Sequence, residues 1–362
     1  MDNANRQMIL VAPLNWGLGH ATRCIPVIRQ LEAVGFAPVI ASDGAALQLL
    51  EKEFPHLDVL ELPSYKIEYS RSASGFKRKM LLNLPKILRA ILQEKKLINR
   101  WVEEHRPAGI ISDNRPGVRS QYVPSVYITH QLNVRTGATS YFTGKLHRFL
   151  ISRFDQCWVP DFQGMPNLSG RLGHLEEAWD KVRYLGPLSR FTRREMNPVY
   201  DLAIVLSGPE PQRTMLEDKL LKQAVQFDGR VLMVCGKVES EQTKRVAGNA
   251  EIYNFMPSGQ LEEALNQSKM VLSRSGYTSV MDLARLQCKA FFIPTPGQPE
   301  QEYLAKKLDG QGYVPFSTQD DFRMDDLSRV DFYKGLPAAD PVAWDDLLQI
   351  FKPDSQPQTW SA

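Results

Sequence analysis

Short apolar runs alternate with helical patterns along this 362-residue chain. Runs that are apolar at every position, separated by helices, are typical of a parallel sheet covered on both faces. In the first half the runs predict strands near 8–13, 38–42, 58–62, 109–112, 125–129 and 156–160, and helices near 45–53 and 85–104. In the second half they predict strands near 201–206, 230–235, 251–254, 269–273 and 289–293, and helices near 214–226, 259–267, 277–287 and 300–309. The pattern therefore predicts two consecutive doubly wound α/β domains.

A segment with two prolines and three arginines, 186–201, interrupts this alternation and marks a domain linker. We predict a first domain over 1–188, a second over 199–335, and a C-terminal segment over 336–362 that packs back towards the first domain. Two such domains imply an interdomain cleft, with ligands bound at the carboxyl ends of the strands.

The composition is that of an ordinary globular protein, with 43% hydrophobic and 23% charged residues. The net charge of +3 is too small to indicate a nucleic-acid partner. The four cysteines are far apart in sequence and lie in or beside apolar runs, which favours reduced structural thiols. The chain has neither a signal-peptide pattern at its start nor an apolar stretch near 20 residues long. We therefore expect a soluble, cytoplasmic protein.

The most informative motif is "VLSRSGYTSVMDLARLQCKAFFIPTPGQPEQEYLAKKL", which begins at residue 271. Arg274, Ser275 and Gly276 form a turn between a strand and a helix, and Thr278 lies in the first turn of that helix. Helix-start N–H groups and these hydroxyls form an anion site that suits a diphosphate. The alternative is that Ser275 only caps the helix.

Two further features of this motif suit a nucleotide sugar. Asp282 lies in the same helix, where a carboxylate accepts hydrogen bonds from ribose hydroxyls, although it could simply complement the helix dipole. After the next strand, Glu300 and Gln301 begin another helix and could bind sugar hydroxyls. Each residue alone is compatible with a purely structural role, but their order along the chain favours a binding site for the sugar donor.

This order of residues resembles the donor-binding half of GT-B glycosyltransferases. It is closest to glycosyltransferase family 28, which contains the peptidoglycan N-acetylglucosaminyltransferase and plant galactolipid synthases. In that family an "RSG" turn and helix bind the diphosphate and ribose of a UDP-sugar, and a glutamine pair binds the sugar. Asp282 stands here where the family usually has Glu. The resemblance implies an inverting transfer that needs no cofactor.

Two other stretches of the second half fit the same resemblance. In "IVLSGPEPQRTMLEDKLL", Gly208 corresponds to a glycine loop beside the diphosphate, and Arg213 could add positive charge there. The alternatives are a simple turn and a solvated helix start. In "YNFMPSGQLEEAL", Phe255 and Met256 correspond to the backbone that meets the uracil edge, although an aromatic residue beside Met is also typical of a core.

The N-terminal stretch "VAPLNWGLGHATRCIPVI" resembles the acceptor-side loop of the same superfamily. Gly17 and Gly19 permit a tight turn, and His20 lies at a helix start, where neutral imidazole is favoured and can act as a general base. A helix cap without a chemical role is the alternative. Two polar residues follow other strands, Asp113 in "GIISDNR" and His130 in "VYITHQL". Asp113 could orient His20, replace it as the base, or only form a turn.

The stretch 66–106 has eleven Lys or Arg residues against four acidic ones, with apolar residues at helical spacing. A basic amphipathic helix can lie on an anionic membrane surface, as the resembled family does to reach lipid-linked acceptors. A core-facing helix with a solvated basic face is equally compatible.

We therefore predict a GT-B enzyme that moves a hexose or N-acetylhexosamine from a nucleoside-diphosphate sugar, UDP-linked, to a hydroxyl acceptor. A lipid-linked acceptor would place it at the inner face of the cytoplasmic membrane. No metal is expected, because the chain has neither a DxD segment after a strand nor a close His/Cys cluster. The alternatives are a nucleotide-sugar 2-epimerase-like isomerase and a non-catalytic GT-B scaffold.

Overall fold

The computed structural model describes residues 6–65, 73–133, 140–237, 239–338, 340 and 342–352, with the side chains of 73–85 and 140–143 left aside. The described chain divides into two compact units. The first contains the described residues before 66, those from 78 to 188, and 342–352. The second is built mainly from residues 189–340.

The first unit is a seven-stranded parallel sheet covered by helices. Its elements along the chain are β1 (Met8–Pro13), α1 (Leu18–Ala33), β2 (Ala37–Ser42), α2 (Gly44–Glu53), β3 (Val59–Glu61), α3 (Ala73–His105), β4 (Gly109–Asp113), β5 (Ser125–Ile128), α4 (Ser140–Ile151), β6 (Gln156–Val159) and β7 (Val182–Tyr184). The strand order is β3-β2-β1-β4-β5-β6-β7. Because β1 neighbours both β2 and β4, the sheet changes its winding direction between β1 and β4.

The second unit is a six-stranded sheet with the order β10-β11-β9-β8-β12-β13. Its elements are β8 (Leu202–Val205), α5 (Gln212–Ala224), β9 (Val231–Val234), β10 (Lys244–Ala247), β11 (Ala250–Tyr253), α6 (Ser258–Asn266), β12 (Met270–Ser273), α7 (Tyr277–Leu286), β13 (Lys289–Phe292) and α8 (Pro299–Gly310). All neighbouring strands are parallel except β10, which pairs antiparallel with β11. The winding direction changes between β8 and β12.

The chain ends its described part in the first unit, with α9 (Trp344–Leu348) and a 3-10 turn. Phe351 in this turn is fully buried and meets Trp158 edge to face, with ring centroids 6.2 Å apart. A Cβ at position 109 would lie 2.2 Å from the Phe351 ring, so only glycine fits beneath it. Phe351 therefore fastens the terminal segment to the first sheet.

Every predicted strand is present within one or two residues, and the predicted doubly wound class is confirmed. Among the numbered elements of the described residues, the pattern does not predict α4, β7, β10 or α9. The residues of β10 are exposed or half-buried, so this edge strand has no apolar run to reveal it. From Ser189 onward, the predicted linker belongs to the second unit and packs on it. Thr192 N–H donates to the Glu262 side chain, and Arg194 N–H donates to the Asn266 side chain.

The basic stretch predicted over 66–106 falls partly outside the described residues. Within the described part of α3, the C-terminal half is a core helix, with Ile98, Trp101 and Val102 packed against the first sheet. Nearer the N-terminus, Leu88 and Leu92 are exposed, at 50% and 67%. None of the described helices has the length and apolar character needed to cross a membrane.

Candidate active site

The first candidate site lies where the winding of the first sheet reverses. Ligands of doubly wound sheets bind outside the carboxyl ends of the strands at this point. Asp113 is the last residue of β4, and the loop after β1 leads through Gly17 into α1. Gly17 has φ +78°, a conformation that favours glycine, and Gly19 and His20 follow in the first turn of the helix.

A buried arginine, Arg115, bonds the carboxyl ends of two strands of the first sheet beside this site. Arg115 donates to Glu94 (2.7 Å), to the Pro63 carbonyl (2.9 Å) and to the Pro13 carbonyl at the end of β1 (3.3 Å). These bonds connect the ends of β1 and β3 to α3. The loop that leads to α1 and His20 therefore starts from a fixed strand end.

His20, Arg23, Asp113 and His130, called here the histidine cluster, come together at this point. His20 Nδ1 lies 2.8 Å from Asp113 Oδ1. Arg23 donates to both Asp113 oxygens through Nε and Nη2, and its Nη1 lies 3.0 Å from His130 Nδ1. The structure thus joins three of the predicted residues, from a helix start and two strand ends, through Arg23.

Electrostatics in the histidine cluster favour an ionised Asp113 and a neutral His20. Burial alone would raise the pKa of Asp113, but Arg23 and His20 outweigh it and lower that pKa to about 2. The pKa of His20 is lowered, chiefly by burial, with Arg23 and His130 acting in the same direction and Asp113 opposing them. An imidazole that is neutral near pH 7 has the protonation state that a general base needs.

Exposure separates the two residues predicted as alternative bases. Asp113 is fully buried, whereas 17% of the His20 side chain is exposed. Asp113 is also engaged on both oxygens by Arg23 and His20. The arrangement favours His20 as the group that contacts a substrate and Asp113 as the group that orients it.

The second candidate site lies where the winding of the second sheet reverses, between β8 and β12. Three loops follow the carboxyl ends of β8, β12 and β13, and we call 206–208, 274–276 and 293–298 the donor loops. Gly208 is exposed with φ +107°, a backbone conformation that L side chains rarely adopt. Gly276 is the N-cap of α7, so the positive end of that helix dipole lies at the second loop.

Gln301 links two of the donor loops, 274–276 and 293–298, to each other. Its side-chain oxygen accepts from Thr295 N–H (2.8 Å), and its carbonyl oxygen accepts from the Ser275 hydroxyl (2.8 Å). The remaining Nε2 lies 3.8 Å from where a Cβ on Gly276 would sit. The predicted sugar ligand Gln301 therefore uses its oxygen to shape the site and directs its amide nitrogen towards Gly276.

Asp282 is buried in α7 and bonded to Ser189, whose hydroxyl donates to Oδ1 at 2.6 Å. Burial raises the pKa of Asp282 to about 6, although Arg190 and the Ser189 hydrogen bond oppose the shift. A ribose hydroxyl that reached this carboxylate would replace or join Ser189.

The two arginines predicted at the donor site are both buried. Arg274 is fully buried and donates to the carbonyls of Ile293, Pro294 and Gln212 and to Gln319 Oε1. Burial lowers its pKa to about 10. Arg213 pairs with Glu217 at 2.7 Å and with Glu210. Both side chains brace their loops from beneath, and a direct contact with a ligand stays a prediction for each.

The remaining predicted donor residues are half-buried. Phe255 and Met256 follow β11, and the Phe255 N–H and carbonyl already bond Asn254 Oδ1 and Gln242 Nε2. Thr278 lies in the first turn of α7 and Glu300 in that of α8. Their contacts with a nucleotide sugar stay predictions.

Sequence reasoning did not single out Arg23 or Thr295. Arg23 lies three residues after His20 in "GLGHATR", a spacing that puts both side chains on one helix face. Thr295 lies after a predicted strand, where polar residues merit attention. Its buried hydroxyl has no hydrogen-bond partner among the described residues and lies 3.5 Å from where a Cβ on Gly208 would be.

Comparison with known proteins agrees with this architecture. Residues 210–330 match the glycosyltransferase family 28 C-terminal domain. An uncharacterized glycosyltransferase of Methanosarcina mazei is 24% identical over 327 residues, which are 82% of each chain. A UDP-N-acetylglucosamine--N-acetylmuramyl-(pentapeptide) pyrophosphoryl-undecaprenol N-acetylglucosamine transferase of Glaesserella parasuis is 24% identical over 325 residues, 85% of this chain and 84% of that one.

Solved structures show the same fold. The glycotransferase of kitacinnamycin superposes with a TM-score of 0.59 and 15% identity over 90% of both chains. MurG of Acinetobacter baumannii superposes with a TM-score of 0.52 and 14% identity over 90% of this chain and 89% of that one. This chain is a glycosyltransferase with the GT-B fold, and its second unit is similar to the family 28 C-terminal domain.

The family match covers two of the three donor loops of this glycosyltransferase. The matched residues include the loops after β12 and β13, together with Asp282. The histidine cluster belongs to the other unit, outside the matched domain. Its assignment therefore depends on its own geometry.

Proposed function

We propose that the enzyme transfers a hexose or N-acetylhexosamine from a UDP-sugar to a hydroxyl acceptor, with inversion and without a metal ion. The observation that carries the proposal is the hydrogen bond between the partly exposed His20 and the buried, ionised Asp113. A neutral imidazole supported by a carboxylate is suited to deprotonate a hydroxyl nucleophile.

The donor loops support a nucleoside-diphosphate sugar as donor. The N-terminus of α7 attracts anions, and the fully buried guanidinium of Arg274 lies beneath the loops without an ion-pair partner among the described residues. The Glaesserella relative is named for UDP-N-acetylglucosamine, which favours UDP as the nucleotide. Ribose binds Asp282, and Gln301 Nε2 donates to the sugar in this proposal.

The proposed reaction is a single displacement. His20 Nε2 takes the proton of the acceptor hydroxyl while the hydroxyl oxygen forms a bond to the anomeric carbon of the sugar. The bond from that carbon to the diphosphate breaks in the same step, so the configuration inverts. The positive end of α7 and Arg274 stabilise the departing diphosphate.

A metal ion is not required in this scheme, because protein groups stabilise the leaving group. Within the described ranges, no group of three or more His, Cys, Asp or Glu side chains could hold one. Metal independence is nevertheless a proposal, which the chelation experiment described below tests.

The acceptor we propose is lipid-linked, since the Glaesserella relative is named for a pyrophosphoryl-undecaprenol substrate. The middle of α3 supports this proposal. Leu88 and Leu92 are exposed there beside exposed Lys86 and Arg89. Apolar and basic residues together favour contact with an anionic membrane surface.

A thermal-shift screen followed by a transfer assay tests the proposal. We expect UDP or its sugars to raise the melting temperature more than GDP or TDP and their sugars do. Radiolabelled sugar from the stabilising donor should then appear in a hydroxyl acceptor. Conversion of the donor sugar to its 2-epimer would indicate an isomerase, and binding without any reaction a scaffold; either result would overturn the proposal.

A further inference from the structure

One guanidinium in the first unit contacts two imidazoles and a carboxylate. Arg23 Nη2 lies 2.9 Å from His20 Nδ1, and Nη1 lies 3.0 Å from His130 Nδ1. Nε and Nη2 both donate to Asp113. Arg23 is 2% exposed and Asp113 is fully buried, so water does not mediate these contacts.

The contact with Arg23 fixes the protonation of His130. A guanidinium has five N–H donors and no acceptor, and it keeps its proton in proteins. The facing Nδ1 of His130 must therefore be the acceptor. A neutral imidazole that accepts at Nδ1 carries its proton on Nε2. The Gln131 side-chain amide, whose Nε2 lies 3.5 Å from His130 Nε2, must then turn its oxygen to that atom.

The contact with Asp113 fixes His20 in the opposite way. An ionised carboxylate can only accept, so His20 Nδ1, at 2.8 Å from Oδ1, carries the proton. Arg23 Nη2, although 2.9 Å from His20 Nδ1, donates to the same Oδ1, whose two lone pairs accommodate both donors. His20 Nδ1 thus differs from His130 Nδ1, because it faces a carboxylate oxygen as well as the guanidinium. The lone pair of His20 is then on Nε2.

We infer that Arg23 is a positioning residue that holds the two histidines in opposite tautomers, with His20 a proton acceptor and His130 a hydrogen-bond donor, each at Nε2. This inference deepens the proposed function, since it explains how His20 is prepared to act as the base. Arg23 acts through Asp113 and the two imidazoles and needs no contact with substrate.

Arg23 also compensates the charge of Asp113. The groups that face His20 are Arg23 from its own helix, Asp113 from β4 and His130 after β5, while Cys24 contacts Asp113 at 3.7 Å. Asp113 raises the pKa of His20, whereas Arg23 and His130 lower it. Removal of the guanidinium leaves Asp113 uncompensated, so His20 would retain its proton to higher pH.

Nitrogen-15 NMR of the full chain labelled at histidine reads the tautomers directly. The chain has six histidines, and the variants His20→Gln and His130→Gln assign the two signals of interest. We expect His20 protonated at Nδ1 and His130 at Nε2 at neutral pH. Protonation of His20 at Nε2, of His130 at Nδ1, or of both nitrogens of either ring would overturn the inference.

Kinetics of Arg23 variants give the second readout. In Arg23→Met the acidic limb of the kcat/KM profile should move to higher pH, with activity at pH 6 about tenfold lower for each pKa unit gained. Nucleotide affinity should be unchanged. Arg23→Lys keeps the charge but not the two-point contact with Asp113. We therefore expect a smaller shift of the acidic limb than in Arg23→Met, and a smaller loss of stability.

The two readouts separate this inference from the proposed function. A wild-type chain that transfers no sugar would defeat the proposed function, while the NMR result would still decide the tautomers. If transfer occurs but both Arg23 variants keep the wild-type pH profile, the positioning role is wrong and the proposed function stands.

Discussion

His20 Nδ1 and Asp113 Oδ1 lie 2.8 Å apart, although 93 positions separate the two residues in sequence. The bond joins the first turn of α1 to the end of β4, across the point where the first sheet reverses its winding. A helix start that is held by a strand end orients its imidazole without relying on a flexible loop. The base in our account is therefore set in place before any substrate binds.

The burial of Asp282 predicts a conflict between stability and nucleotide binding. Its folded pKa of about 6 lies above its ordinary value of 3.8, so its ionisation opposes folding as pH rises through this range. Asp282→Asn should stabilise the unliganded protein at pH 8 by up to about 3 kcal/mol, and the gain should vanish below about pH 4. Urea unfolding at both pH values measures this difference.

Removal of the Asp282 carboxylate should weaken nucleotide binding. Asp282→Ala should cost roughly 1.5–3 kcal/mol of nucleotide affinity, because it removes charge-assisted bonds to the ribose. Asp228→Asn, at an exposed carboxylate, is the matched control for both measurements. Unchanged nucleotide affinity in Asp282→Ala would show that the ribose assignment is wrong.

The terminal segment should contribute strongly to the stability of the first unit. Phe351→Ala removes a fully buried ring that packs on Trp158, with an expected loss of about 3–5 kcal/mol in the free energy of unfolding. Phe332→Ala, at a ring that is 87% exposed, should change little. Equal stabilities of the two variants in denaturant titrations would contradict the packing described here.

Metal chelation should leave the activity intact. In our account helix N-termini and Arg274 stabilise the leaving diphosphate, so incubation with EDTA should not lower the transfer rate. The assay compares chelated enzyme with and without added magnesium. Loss of transfer in EDTA with recovery in magnesium would require a metal-dependent mechanism.

Membrane contact should depend on the exposed part of α3. Replacing Leu88 and Leu92 by Gln should reduce co-sedimentation with anionic vesicles, and replacing Lys86 and Arg89 by Gln should reduce it most at low salt. Met215→Gln, at an exposed apolar residue of α5, is the control. If the α3 variants bind vesicles as the wild type does, this helix is not the contact surface.

The sequence predicted the fold well because core strands of both units are apolar on both faces. It missed β10 and β7, which are short and mostly not buried, so their pairing depends on neighbouring strands rather than on their own pattern. The sequence does not distinguish a turn-forming role of Asp113 from a role as the base or as the group that orients His20. Its partners come from positions 20 and 23, and only the fold brings them within hydrogen-bond distance.

Burial explains where the predictions about the site were incomplete. The motif predicts Arg274 as a donor ligand, and in the structure it is fully buried and donates to loop carbonyls and to Gln319. Its direct contact with a ligand therefore stays a prediction. The sequence assigns no role to Arg23, because an arginine at helical spacing gives no sign of a carboxylate 90 residues away. Charge partners distant in sequence are the information that a single sequence lacks.

The central claim, that His20 is the base of a nucleotide-sugar-dependent transfer, is tested most directly by comparing the wild type with His20→Ala and Asp113→Ala. Turnover is measured with the donor that stabilises the protein, and nucleotide affinity is measured in parallel by calorimetry. We predict that His20→Ala lowers kcat by roughly a hundredfold or more and leaves nucleotide affinity nearly unchanged. Near-normal turnover in His20→Ala, with activity abolished in Asp113→Ala, would contradict the account and identify Asp113 as the base.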